Sequence, residues 1–178
     1  MSGAWRKLVF ILVMTVSLPA PVFPDSVYET QAEFLSRAFS GTPPESRVLW
    51  LSGERKSVVR QILGHDYAAL RLRYWCRDGR SAWALDEIGK DLPITVGIIV
   101  ENNYIRNLRV LTYRESRGGE VAISAFTDQF NDAALTENNG LDVPIDGISG
   151  ATLSVQALTR LAAMALFLHT QSGCSNDA

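Results

Sequence analysis

Hydrophobic and polar positions change their period along this chain, and the changes mark its elements. Residues 30–44, "TQAEFLSRAFSGTPP", open with Thr30 and Glu33 at the spacing of a capping box. Phe34, Leu35, Ala38 and Phe39 then share one helical face, and Gly41 with Pro43 behind it ends the run. "RVLWL" (47–51) is strand-like. "ERKSVVRQILG" (54–64) predicts a second helix with Val58, Val59, Ile62 and Leu63 turned inward.

Beyond it the helical period gives way to alternation. In "ALRLRYW", Leu70, Leu72 and Tyr74 alternate with Arg71, Arg73 and Trp75, the pattern of a half-buried strand. "RDGR" (77–80) predicts a hairpin turn, because Asp78-Gly79 accepts left-handed backbone, and "SAWALDEI" is the return strand. "ITVGIIVENNYIRNLRVLTYRE" holds two more strands, about 94–101 and 105–114, joined across Asn102-Asn103. "ISAFTDQF" and the polar "NDAALTENNGLD" follow. From Leu153 to about Thr170, Val155, Leu158, Leu161, Ala162, Ala165 and Leu166 recur at helical spacing. Successive hairpins with helices at both ends predict an α+β fold: an antiparallel twisted sheet, flanking helices and a long C-terminal helix.

Composition narrows the class. A chain of 178 residues, 47% hydrophobic, is long enough for one domain with a real core. Its net charge of −2 excludes the basic footprint that nucleic acid requires. The opening "MSGAWRKLVFILVMTVSLPAPVFPDS" places Arg6 and Lys7 before an apolar run, Leu8–Leu18, too short for the ~20 residues of a membrane span. It reads as a secretory signal, residues 1–24, cut between Ala20 and Asp25. Pro21 after Ala20 leaves an uncleaved anchor open. Cleavage removes two cations, so the mature charge is −2 − 2 = −4. Either way a single domain, residues 26–172, is expected on the outer face of the cytoplasmic membrane or in the periplasm, with 173–178 as an expendable tail.

Cys76 and Cys174 could pair in an oxidising compartment. One lies in a strand-like run and the other in a polar tail, so the pattern leaves their pairing open. His65 and His169 read as surface or edge residues without metal-ligand spacing. The arginines of the hairpin (Arg71, Arg73, Arg77, Arg80) read as a solvated face.

The densest chemistry lies in "IDGISGATLSVQAL" (145–158), where small residues run from Gly147 toward Thr152 beside Asp146. A plain reading makes Thr152 an N-cap and Gly150 a turn. A helix start is also a ready anion site, and Gly150 and Ala151 would permit close approach of a phosphate.

Asp146-x-x-Ser149-Gly150-Ala151-Thr152 resembles the motif of the FMN-binding domain family, in which FMN is esterified to the threonine. That family includes the C subunit of the sodium-pumping quinone reductase, the G subunit of the RNF complex and small single-domain envelope proteins. "NLRVLTYRESRGGEV" (107–121) is similar to the family's strand ending in Glu, and "FTDQF" (126–130) to its Phe-x-x-Gln-Phe segment. The likeness covers about 80–170. It departs at Glu115-Ser116-Arg117-Gly118, where the electron-transport subunits carry Glu-Thr-Pro-Gly. The departure favours the small exported branch.

The resemblance implies FMN on Thr152, a backbone cradle of Ser149, Gly150 and Ala151, and Asp146 as the group recognised by a flavin transferase that takes FMN from FAD with Mg²⁺. Glu115, with Arg117 and Gly118 shaping its turn, would face the flavin edge. Phe126, Gln129 and Phe130 would line the ring pocket, with a plain core role open for the two phenylalanines. No catalytic constellation and no metal cluster is apparent in the sequence. An electron carrier between a membrane-bound or periplasmic donor and acceptor is therefore expected. A reversible flavin-binding sensor or assembly subunit, or a reductase component, stays open.

Overall fold

A computed structural model describes residues 25–174. The signal-like segment 1–24 lies outside the described residues. Six antiparallel strands form one sheet: β1 (Ser26–Val27), β2 (Ser46–Trp50), β3 (Arg71–Arg77), β4 (Arg80–Ile88), β5 (Pro93–Glu101) and β6 (Tyr104–Tyr113). Their order is β1-β6-β5-β4-β3-β2, so β2 to β6 make a meander and the start of the domain closes its far edge. The helices are α1 (Gln31–Ala38), α2 (Gly53–Leu63), the single turn α3 (Ser124–Thr127) and α4 (Thr152–Gln171). The α+β architecture is the one the pattern predicts. Two-residue β1 left no signal of its own.

Turn chemistry sets the meander's register. Asp78 and Gly79 carry φ of 52° and 72°, and Asn102 and Asn103 carry 54° and 63°. Left-handed backbone at both central positions matches the twist of the flanking strands. The capping box of α1 is complete, with Thr30 and Glu33 bonded reciprocally.

Helices cover both faces of the sheet. α4, with α2 packed against it, covers Val96, Ile98 and Val100 of β5, whereas α1 packs over Trp75, Ile99 and Leu111 on the opposite face. Trp75 therefore leaves the solvated side of its strand, where alternation alone would put it. Phe34 of α1 seats on Gly97, where an added Cβ would lie 2.7 Å from two ring carbons. α4 is buried on every side over Leu161–His169, which is why its polar face fades there.

Several expectations are corrected by long-range contacts. Arg77 donates to the carbonyls of Phe39 (2.6 Å) and Thr42 (3.2 Å), and Arg80 donates to that of Ala38 (2.9 Å). These two arginines tie down the C-terminal end of α1, while Arg71, Arg73 and Arg77 remain exposed and Arg80 is half-buried. His169 is fully buried, its Nδ1 2.7 Å from the Ser81 hydroxyl, which also accepts from Trp83 Nε1 at 2.8 Å. Burial lowers its pKa and keeps the ring neutral. Cys174 is also fully buried and bridges to Cys76 across 98 residues, with a Cα–Cα distance of 5.9 Å. The domain thus extends to residue 174, and the start of the supposed tail is part of the core.

Candidate functional site

α4 starts from a tight turn. Ala151 N donates to Ile148 O (3.0 Å), and Gly150 takes φ 83°. Ala151, not Thr152, occupies the cap position, and no side chain caps the helix. Thr152 is the first helical residue and is exposed. The first intrahelical bond runs from Val155 N to Ala151 O (3.0 Å), so the N–H groups of Thr152, Leu153 and Ser154 precede it. This positive helix end faces the exposed threonine hydroxyl.

The end of β6 supplies the second wall. Tyr113 donates its phenol to Arg117 O (2.5 Å), so the Ser154 hydroxyl, 3.0 Å away, donates to Tyr113 Oη. This pair locks the 115–118 turn against the first turn of α4. Gly118 lies at φ 84°, and a Cβ there would stand 2.9 Å from Tyr113 Oη and 3.0 Å from Ala151 Cβ. Smallness at Gly118 and Ala151 is one requirement, since the two backbones meet.

The third wall is the turn between β4 and β5. Glu115 Oε1 accepts from the backbone N–H groups of Lys90 (2.6 Å), Asp91 (2.7 Å) and Leu92 (2.9 Å). Burial pushes the carboxyl pKa up, but the three amides outweigh it and hold it below the ordinary 4.5. A depressed carboxylate stabilises the fold above its unfolded pKa, and that contribution is lost as pH falls through the lower folded value. The amide proton shifts of Lys90, Asp91 and Leu92 are accordingly expected to titrate together with one midpoint below 4.5, and Glu115→Gln to remove that common step. Separate midpoints in an amide-resolved NMR titration would contradict the shared acceptor.

The three walls enclose a cavity of about 570 Å³ lined by Lys90, Glu115, Arg117, Gly150, Thr152 and Ser154, among others. Its size falls in the ~300–1,000 Å³ range of cofactor sites. Lys90 and Arg117 supply positive charge against Asp91 and Glu115. Ser149 lines an adjoining crevice on the far side of Arg117 and Gly150.

The residues anticipated from the sequence separate into three groups. Thr152, Ala151, Gly150 and Glu115 converge on the cavity. Gln129 acts from behind, accepting the Asp146 N–H at Oε1 (2.8 Å) and fixing the approach to the turn, while Asp146 itself is exposed. Phe126 and Phe130 are core residues in edge-to-face contact, with ring centroids 5.8 Å apart, and do not line this cavity. Glu115 acts as a loop clamp, a role the sequence did not announce. Lys90, Asp91, Tyr113 and Ser154 went unnoticed. For Lys90 and Asp91 the only sequence signal was the polar break "GKDLP" between two strands.

The site fits a phosphate-bearing cofactor: an unobstructed helix start, two cations and a glycine-lined approach. Residues 89–166 match the family model of the FMN-binding domain. A search of curated proteins found no matching relative. The match spans the Glu115 clamp, the Gly118 turn and the start of α4, so over residues 89–166 this chain matches the FMN-binding domain.

Proposed function

We propose that this protein is an exported electron-transfer flavoprotein carrying FMN through a phosphoester on Thr152. The observation that carries the reading is the position of Thr152: exposed, at the first turn of α4, facing a cavity with Lys90 and Arg117 on its walls. In attachment, Thr152 Oγ1 forms the bond to the FMN phosphorus of FAD, the pyrophosphate bond breaks, and AMP leaves. The hydroxyl proton passes to a base of the flavin transferase, whose Mg²⁺ neutralises the pyrophosphate. Asp146, exposed near the turn, is available for recognition by that enzyme.

Once held, FMN supplies one- and two-electron chemistry. The chain's own part is to bind and orient. The α4 amides with Lys90 and Arg117 take the phosphate, and the Tyr113–Ser154 contact fixes the wall opposite Thr152. The donor and acceptor are periplasmic or membrane-bound redox proteins. The Cys76–Cys174 bridge suits an oxidising compartment outside the cytoplasm.

Intact mass of the protein exported from a host that also expresses a flavin transferase tests this. A gain of one FMN less one water, with the yellow colour retained through denaturation, is the expected result. Colour that leaves with the fold would make the protein a reversible flavin binder. The unmodified mass with no colour would remove the carrier reading.

A further inference from the structure

A second cavity, of about 420 Å³, lies between the α2–β3 loop and the end of β4. Except for Pro93, the residues lining it precede the segment matched by the family. Its walls are apolar at Tyr67, Ala68, Ala69, Ile88 and Pro93. Every other lining residue but His65 is a carboxylate: Asp66, Asp86 and Glu87. No lysine or arginine lines it.

Glu87 makes this more than an acidic surface. It is only 5% exposed, and its Oε2 is buried without a hydrogen-bond partner. A buried carboxylate oxygen left unpaired is costly. Its Oε1 accepts from Ile88 N (3.0 Å) and faces His65 Nε2 at 2.9 Å. His65 Nδ1 lies 3.0 Å from the Asp66 carbonyl, which can only accept, so Nδ1 carries a proton. In its protonated form the ring donates to both partners. When protonated, His65 is an internal cation over Glu87, with a side chain still 49% exposed and free to swing outward.

We propose that this cavity binds a small organic monocation, an ammonium group on an apolar body, which displaces His65 and pairs with Glu87. The carboxylates supply the charge, Glu87 supplies an acceptor that lacks its full complement, and Tyr67 supplies an aromatic wall. A coordinated metal fits less well, because among the described residues no three His, Cys, Asp or Glu side chains are placed to hold one. The inference is independent of the flavin reading.

Competition from His65 gives the binding a pH dependence with a definite sign. The Asp66 carbonyl, then Glu87, raise the His65 pKa above 6.5, against burial and the opposing charge of Arg160 on α4. Lys56 of α2 is engaged with Asp66 at 3.8 Å. Below its raised pKa His65 holds the site, and above it the site is free for the ligand.

Benzylamine is the probe, with benzyl alcohol as its neutral counterpart, and binding is followed by amide shifts of residues 65–69 and 86–88. Saturable binding of benzylamine is expected, about tenfold tighter at about pH 8.5 than at about pH 5.5. Glu87→Gln is expected to weaken it about tenfold, and benzyl alcohol to bind about tenfold less well. His65→Ala should abolish the pH dependence by tightening the low-pH binding. Ala68→Leu, on an exposed position, should weaken binding by filling the space without changing thermal stability. The proposal falls if benzylamine gives no saturable shift. It falls equally if the alcohol binds as tightly as the amine, or if His65→Ala leaves the pH dependence intact.

Discussion

Thr152→Ala, exported beside a flavin transferase, is expected to emerge at its unmodified mass and colourless, while Thr152→Ser still gains flavin. Alanine removes the only atom at position 152 that can form the phosphoester. The variant separates chemistry from folding because Thr152 is exposed and its hydroxyl caps nothing. Alanine is a good helix former, and a surface change of this kind shifts stability by no more than ~0.5 kcal/mol. The melting temperatures of the two variants should therefore agree with that of the flavin-free wild type. A flavin found on Thr152→Ala would move the attachment to another side chain. A variant that failed to melt cooperatively would show that Thr152 carries packing the structure does not reveal.

Replacing Cys76 and Cys174 together by alanine is expected to give the largest loss of stability of any change considered. The bridge closes 98 residues of chain, and in the loop-entropy account a closure of that length is worth about 4.7 kcal/mol. Measured losses for native bridges run from about 2 to 5 kcal/mol, a large share of the ~5–15 kcal/mol total of an ordinary domain. For a domain of this size the melting temperature should drop by about 4–20 °C. Adding a reductant to the wild type should reproduce the fall, and adding it to the double variant should do nothing. A shift under about 3 °C would mean that packing around residues 172–174, including the Tyr74 bond to Ser172 O (3.0 Å), holds this end without the bridge.

What the sequence made legible is local. Asp78-Gly79 and Asn102-Asn103 fix hairpins through their own backbone preferences, and Thr30 with Glu33 caps α1 within one turn. The apolar spacing of Val155 to Leu166 locates α4 within a residue or two of its ends. The SGAT motif located the helix start at the cavity, because smallness and a hydroxyl at one place are properties of consecutive residues. What escaped depends on partners far along the chain. His169 meets Ser81 across 88 positions, and Arg77 meets Phe39 across 38. A histidine read alone is most often exposed, and only the closed sheet shows that His169 is buried, while Arg77 stays exposed yet holds α1. Glu115's place at the strand end was visible, while the three amides it gathers from residues 90–92 were not.

Because α4 is the last helix of the domain, the order of synthesis constrains assembly. The whole meander from β2 to β6 leaves the ribosome before Leu158, Leu161 and Met164, the side chains that cover one of its faces. Until they arrive, Val96, Ile98 and Val100 present a bare apolar surface on a sheet whose edge strand β2 carries exposed Val48 and Trp50. A sheet in that state invites association with other chains. The bridge to Cys174 can close only after α4 has been made. A nascent chain stalled before residue 152 would be a substrate for holding chaperones, and its cavity would lack the wall that α4 supplies.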